Sequence, residues 1–338
     1  MNKKVIISIL IVGIILAGFM LLQPILWKRH APTISSKSFT VAKGWWPVWD
    51  TFQIGVQQRE GANRSFRTTF LQREDYFSAL NEFQQGNADA ATLTIYEAIL
   101  AASKGIPLKI VLMLDYTIGS DGVVAKKSIS SLQELKDKRI GVEKGTIAHF
   151  TVLKMLEKAG FNQSEVKLIN FNLDELQQAF LRDEIDAAAI YEPYMSEMAR
   201  QGNGHIIFSS SEIPRAICDV LFVRDSIARE HPQVIEHWIE AWTGVLRFKH
   251  NQPEEYLHAL NRLNGTPMPD LKSSLDGIFF TNMAENRIAF GVPERPGYLF
   301  DSLKQMEEFM LREGVIQESL PLQDLIESGS VRRFLKRQ

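Results

Sequence analysis

Two stretches of the chain write the same chemistry twice. Residues 89–97 read DAATLTIYE and residues 186–194 read DAAAIYEPY: an aspartate, a run of small apolar residues, then a tyrosine and a glutamate. A third stretch, GWWPVWD at 44–50, sets Trp45, Trp46 and Trp49 around Pro47, which breaks any regular strand pairing there. Three tryptophans so close together are too many for one core position, so at least one ring is expected to face a ligand cleft. Aromatic faces beside carboxylates suit an organic cation, because ring quadrupole and ion pair act together. Each cation–π contact contributes about 0.5–2 kcal/mol. The usual catalytic signatures are missing: the sequence has no GxSxG, phosphate-binding loop or HExxH motif, and no histidine pair at metal-ligand spacing. The single cysteine, Cys218, can form neither an internal disulfide nor a zinc site. No catalytic group, cofactor or metal is therefore expected.

The elements that carry these residues alternate. SFTVAK reads as a strand, GWWPVWD as a loop, and TFQIGVQQREG as a helix that Asp50 or Thr51 caps. RTTFLQ is a strand, and EDYFSALNEFQQGN is a helix with Tyr76, Ala79, Leu80 and Phe83 on one face. LKIVLMLD is a fully buried strand, RIGVEKG a strand and loop, and TIAHFTVLKMLEKAG a helix with Thr146 as N-cap. Both Asp-Ala-Ala stretches follow an amphipathic helix and form short buried strands that empty into loops. Alternating strands and helices predict parallel βα units, whose ligands sit beyond the carboxyl ends of the strands. For Asp89 and Asp186 a tight helix-to-strand joint explains the pattern as well as a ligand does. Tyr191 and Glu192 lie past the strand, where ligand contact is the better explanation. Beyond residue 219 the chain is helix-rich.

The first thirty residues differ from the rest. Lys3 and Lys4 precede an uncharged apolar run from Val5 to Trp27, long enough to span a bilayer as a helix. The leading lysines favour a cytoplasmic N-terminus, whereas Lys28 and Arg29 oppose it. An uncleaved anchor and a cleaved signal both fit, and either exports the remainder. These four basic residues leave 34 of the chain's 38 against 40 acidic ones, a net charge of −6 for the exported part. That balance argues against a nucleic-acid partner.

In order and content, GWWPVWD, LKIVLMLDYTIGSDGVVAKKSISSLQELKDKRIGVEKGT, IDAAAIYEPY, FSSSEIPRAICDVLFVRDSIAREHP, AENRIAFG and FMLREGVI cover most of residues 39–316. This series resembles the periplasmic substrate-binding proteins of ABC transporters in the taurine, alkanesulfonate and nitrate group, which includes thiamine-pyrimidine binders. The resemblance implies an α/β, two-lobed type II periplasmic binding protein fold with its ligand cleft between the lobes, here preceded by one N-terminal transmembrane or signal helix. Segment 1–30 would be the anchor and 31–38 a tether. Lobe one would comprise 36–120 plus 220–338, and lobe two 121–219. The related enzyme branch that makes the thiamine pyrimidine depends on a cysteine-rich motif that a single-cysteine chain lacks.

On this plan lobe one offers Trp45, Trp46, Trp49, Thr92 and Thr94, and lobe two offers Thr146, His149, Tyr191 and Glu192. Asp121 and Asp219 mark the two crossings, either as ligand contacts or as braces for the hinge. His149, on the first turn of a helix, suits a capping role as well as a ligand contact. Met113, Met195 and Met198 are assigned to packing. The helix start at Thr146 offers backbone N–H groups to an anionic end. A sulfonate or nitrate favours a guanidinium fork, yet the predicted loops hold no arginine except Arg215. An amine or aminopyrimidine-like ligand is therefore favoured over a simple sulfonate. The functional expectation is a monomeric solute receptor that delivers a small molecule to a membrane permease, with a membrane-anchored sensor as the alternative.

Overall fold

The structure, a computed structural model, describes residues 37–62, 66–292 and 294–337. The expected anchor and all but the last residues of the tether lie outside the described residues. Among the described residues no helix is long and apolar enough to cross a membrane.

Two mixed sheets organise the chain. Its strands are β1 (Lys37–Lys43), β2 (Phe66–Gln72), β3 (Ala90–Thr94), β4 (Leu108–Thr117), β5 (Asp121–Lys126), β6 (Arg139–Val142), β7 (Lys167–Asn170), β8 (Ala187–Tyr191), β9 (Gly204–Ser209), β10 (Cys218–Arg224) and β11 (Ile278–Phe280). One sheet has the order β11-β4-β10-β3-β1-β2 and the other β7-β6-β8-β5-β9. The parallel pairs β1/β3, β6/β7 and β6/β8 come from the alternating βα units. The strands flanking the crossings run the other way: β10 is antiparallel to β3 and β4, and β5 to β8 and β9. The chain passes between sheets after Thr117 and returns before Cys218.

Helices cover both sheets: α1 (Pro47–Ala62), α2 (Tyr76–Gln85), α3 (Ile95–Ser103), α4 (Ile147–Ala159), α5 (Leu173–Leu181), α6 (Tyr194–Gln201), α7 (Asp225–Glu230), α8 (Pro232–Asn251), α9 (Pro253–Asn264), α10 (Met268–Asp276), α11 (Met283–Phe290) and α12 (Tyr298–Arg312). Their ends follow local rules. Asp75 caps α2 by accepting from Ser78 N, and Gly86 closes that helix in the left-handed region. Thr94 and Glu97 form a reciprocal capping box at α3. The long α8 packs on α1 at Gly55, where a Cβ would lie 2.7 Å from the Ala241 carbonyl.

One local expectation fails. GWWPVWD is not wholly a loop, because α1 begins at Pro47, whose fixed φ and missing N–H suit a helix start. Asp50 and Thr51 therefore lie inside the helix instead of capping it. Thr51 Oγ1 donates to the Pro47 carbonyl, and Asp50 forms a fully buried ion pair with Lys43. The repeated Asp-Ala-Ala proves to be a joint in both sheets. Asp89 accepts the Thr40 N–H of β1 at 2.8 Å, and Asp186 accepts the Arg139 N–H of β6 at 2.9 Å. Each carboxylate satisfies an amide of the neighbouring parallel strand, mid-strand at Thr40 and at the strand start at Arg139.

Candidate functional site: an acidic, aromatic cleft between the sheets

The strand directions place a cleft where open α/β sheets bind ligands. From the six-stranded side come Trp45 and Trp46 after β1, Trp49 on α1, Thr94 and Glu97 after β3, Thr117 at the end of β4, and Asp219 near the start of β10. From the other side come Asp121 at the start of β5, Glu143 and Thr146 after β6, and Tyr191 at the end of β8. Tyr76, Ile147, Ala148, Leu173, Leu176, Ala189, Ile190 and Ile217 complete the lining. No lysine, arginine, histidine, serine or cysteine is among these residues.

Cross-strand register builds the floor. Asp219 stands opposite Asp115 on β4 and opposite Thr94 on β3, and Asp121 stands opposite Tyr191 on β8. Asp115 lies one layer beneath the lining, fully buried. The indole N–H groups of Trp46 and Trp49 approach Asp115 and Asp219 respectively without closing a hydrogen bond. Burial far from any cation pushes Asp115 and Glu97 up to about 7 and Asp121 up to about 6. Asp219 is raised well above the usual range by burial first and then by the Asp115 charge. Burial also raises Glu143 and the Tyr191 phenol.

The two sides meet across the cleft. Tyr76 Oη donates to Glu143 Oε2 at 3.1 Å, and Tyr96 Oη donates to the Gly145 carbonyl. The Trp46 and Tyr191 rings meet edge to face with centroids 6.2 Å apart. Phe309 on α12 packs against Phe150 on α4. The crossing is braced as well: Ile118 N donates to the Gly277 carbonyl and Gly119 N to Ser210 Oγ.

Of the residues singled out in the sequence, Trp45, Trp46, Trp49, Thr94, Asp121, Thr146, Tyr191 and Asp219 come together on the cleft lining. Three do not. Thr92 is buried within β3, one pleat behind Thr94. Glu192 turns its carboxylate onto the first turn of α6, accepting from Ser196 N and Oγ. His149 is buried behind the wall, where Nδ1 accepts from Gly145 N and the ring meets Phe309; burial lowers its pKa. Thr146 lines the cleft and stands at the N-cap position of α4 as expected, but its hydroxyl donates to the Glu143 carbonyl and makes no capping bond. Arg215 points elsewhere, stacking on Tyr298 and pairing with Glu285.

Sequence reasoning missed Asp115, Glu97, Glu143, Tyr76 and Thr117. Two of these carried a signal. Thr94 and Glu97 have capping-box spacing, and Asp115 is a lone acid in an otherwise apolar strand segment.

Comparison with known proteins comes to the same fold. The chain is 25% identical over 208 residues to the taurine-binding periplasmic protein of Escherichia coli (strain K12), covering 59% of this chain and 63% of that relative. It thus spans less than two thirds of the relative's length. The crystal structure of the periplasmic aliphatic sulphonate binding protein from Escherichia coli superposes with a TM-score of 0.74 at 15% identity, over 88% of this chain and 100% of that one. A desulfurization enzyme superposes with a TM-score of 0.65 at 12% identity, over 89% and 99%. These likenesses establish the two-lobed periplasmic binding protein fold. The family described as NMT1/THI5 like matches residues 67–256, more than half of the chain, and the chain belongs to that family.

Proposed function

We propose that the protein is an extracytoplasmic solute-binding receptor of an ABC importer, which closes its two lobes on a small amine-bearing ligand and delivers it to a membrane permease. The observation that carries this reading is the cleft itself: three tryptophans and two tyrosines surround Glu97, Asp121, Asp219 and Glu143 with no basic side chain. Such a wall repels a simple anion and attracts an organic cation. The apolar N-terminal segment would hold the receptor at the outer face of the inner membrane, or be removed.

The ligand class divides in two. An aminopyrimidine-like ligand uses the aromatic faces and carboxylates alone. A taurine-like zwitterion also uses the first turn of α4, where Ile147 and Ala148 line the cleft at a helix N-terminus that suits its anionic end. The relative named for taurine favours this second reading. An enzyme on the same fold that works through a cysteine or serine nucleophile needs that residue with a histidine base in the cleft. The lining supplies neither cysteine, serine nor histidine, and Cys218 is buried with its thiol pushed up by burial.

Thermal unfolding of the full-length chain in detergent tests the reading against taurine, choline, 4-amino-2-methylpyrimidine, ethanesulfonate and nitrate. A ligand at a hundred times its dissociation constant stabilises by about 2.7 kcal/mol, a shift of a few degrees. Shifts are expected with the amine-bearing compounds and lost in Trp46→Ala. Shifts confined to ethanesulfonate and nitrate would sink the amine reading.

A further inference from the structure

We propose that Asp115 and Asp219 share one proton in the empty cleft and release it to solvent when a cationic amine enters, so that ligand binding is coupled to proton release. The inference rests on the amine reading above and adds a residue and a linkage to it.

The geometry is that of β4 and β10. Asp115 and Asp219 are directly opposite on antiparallel strands, both buried, where two like charges destabilise the pairing. The groups facing the pair cannot neutralise it. Asp121 on β5 and Glu97 on α3 are themselves acids and bring no positive charge, and Cys218, the neighbour of Asp219, keeps its thiol proton. Trp46 and Trp49 present only indole N–H groups. Lys43, the buried cation of this lobe, is held by Asp50, and Arg215 is engaged with Glu285. A single shared proton is the available way to hold both carboxyls in an empty floor.

Independent polar atoms show that the floor awaits a ligand. Thr117 Oγ1 and the Trp46 and Trp49 Nε1 atoms all belong to residues more than nine-tenths buried, line the cleft, and approach Asp121, Asp115 and Asp219 respectively without closing a hydrogen bond. Asp115 itself has the Asp219 carboxyl within reach. A primary ammonium group set against Asp219 can donate to that carboxylate and to Thr117 Oγ1, whereas a quaternary ammonium supplies the charge alone. Its charge then replaces the proton's, and the two indoles stabilise the resulting carboxylates. The proton passes to bulk water, and no covalent bond forms.

The test has two arms, both on the full-length chain in detergent. In the first, the aspartate carboxyls are labelled with 13C and titrated without ligand. A resonance that keeps its proton well above the usual aspartate range is expected, and its titration should move down in Asp115→Asn as the neighbouring carboxyl is lost. Asp219→Asn serves as the second variant, and unfolding curves confirm that each is folded. In the second arm, taurine and choline are titrated calorimetrically in phosphate and in bis-Tris at pH 6.5. About one proton released per ligand is expected, with the dissociation constant tightening about tenfold per pH unit as pH rises toward the pair's titration. Asp115→Asn should reduce the number of protons released per ligand, because Asp219 then lacks its carboxyl partner. A pair that titrates in the ordinary aspartate range overturns the shared proton. Buffer-independent heats with taurine or choline overturn the exchange and leave the amine reading standing. Binding only of 4-amino-2-methylpyrimidine, which can arrive neutral, also overturns the exchange but not the receptor reading. Failure of every amine to bind sinks both the amine reading and the exchange, while the first arm still reports on the proton separately.

Discussion

Glu97, Asp115 and Asp121 are carboxyls buried without a cation, and this sets how the empty protein answers to pH. Each has its folded pKa raised to between about 6 and about 7. Their contribution to stability is therefore complete below the ordinary carboxylate range and lost as pH rises through these values. The ligand-free melting temperature is expected to fall from pH 5 to pH 8, and Glu97→Gln should flatten the slope; a melting temperature that climbs across that window would contradict the assignment. Asp186 works in the opposite sense, because Arg139 holds its carboxyl low, and its contribution disappears only in acid. Glu192 has a local structural task. Its carboxylate caps Ser196, so Glu192→Gln should cost up to about 1 kcal/mol of stability and leave ligand affinity unchanged in calorimetry.

At the scale of elements, the crossing between the sheets depends on close backbone approach. A Cβ at Gly277 would lie 2.4 Å from both Ser120 N and Ser120 Oγ. Gly277→Ala must therefore push α10 and the crossing apart, at a cost of about 1–3 kcal/mol. Urea unfolding would measure that loss, and an unchanged midpoint would show that the crossing tolerates displacement. The αβ joints are a second device. Asp89 and Asp186 each fasten an amide of the adjacent parallel strand, which is why the same tripeptide serves both sheets. Ser120 Oγ donates to the Ser274 carbonyl, tying the crossing to α10.

As a whole, the molecule joins its two sheets' layers through a few direct contacts. Tyr76 reaches Glu143, Tyr96 reaches Gly145, and Trp46 meets Tyr191, each bond or contact joining the two sheets' layers. A single such hydrogen bond contributes about 0.5–1.5 kcal/mol net, so Tyr76→Phe should weaken binding of the best amine about 2- to 10-fold. Small-angle scattering should show the ligand-free variant more extended than the parent at the same pH. Equal radii of gyration would mean that the Tyr76–Glu143 bond does not hold the lobes together.

The sequence by itself determined most of the elements and their alternation, because the signals are local. Caps such as Asp75, stops such as Gly86, and apolar periodicity act over a few residues. It also determined the cleft's character, since three tryptophans around a proline and acids past short strands are visible without coordinates. Only the tertiary structure decided which way individual side chains point. Glu192 and His149 stand at loop and helix positions that could serve a ligand, yet each is taken by a nearer partner, Ser196 and the Gly145 N–H respectively. Only the tertiary structure could make Asp115 part of the site. Its chemistry comes from lying opposite Asp219 in a register between β4 and β10. Nothing in either strand alone specifies that register, because pairing is fixed by burying both strands' apolar faces in one core.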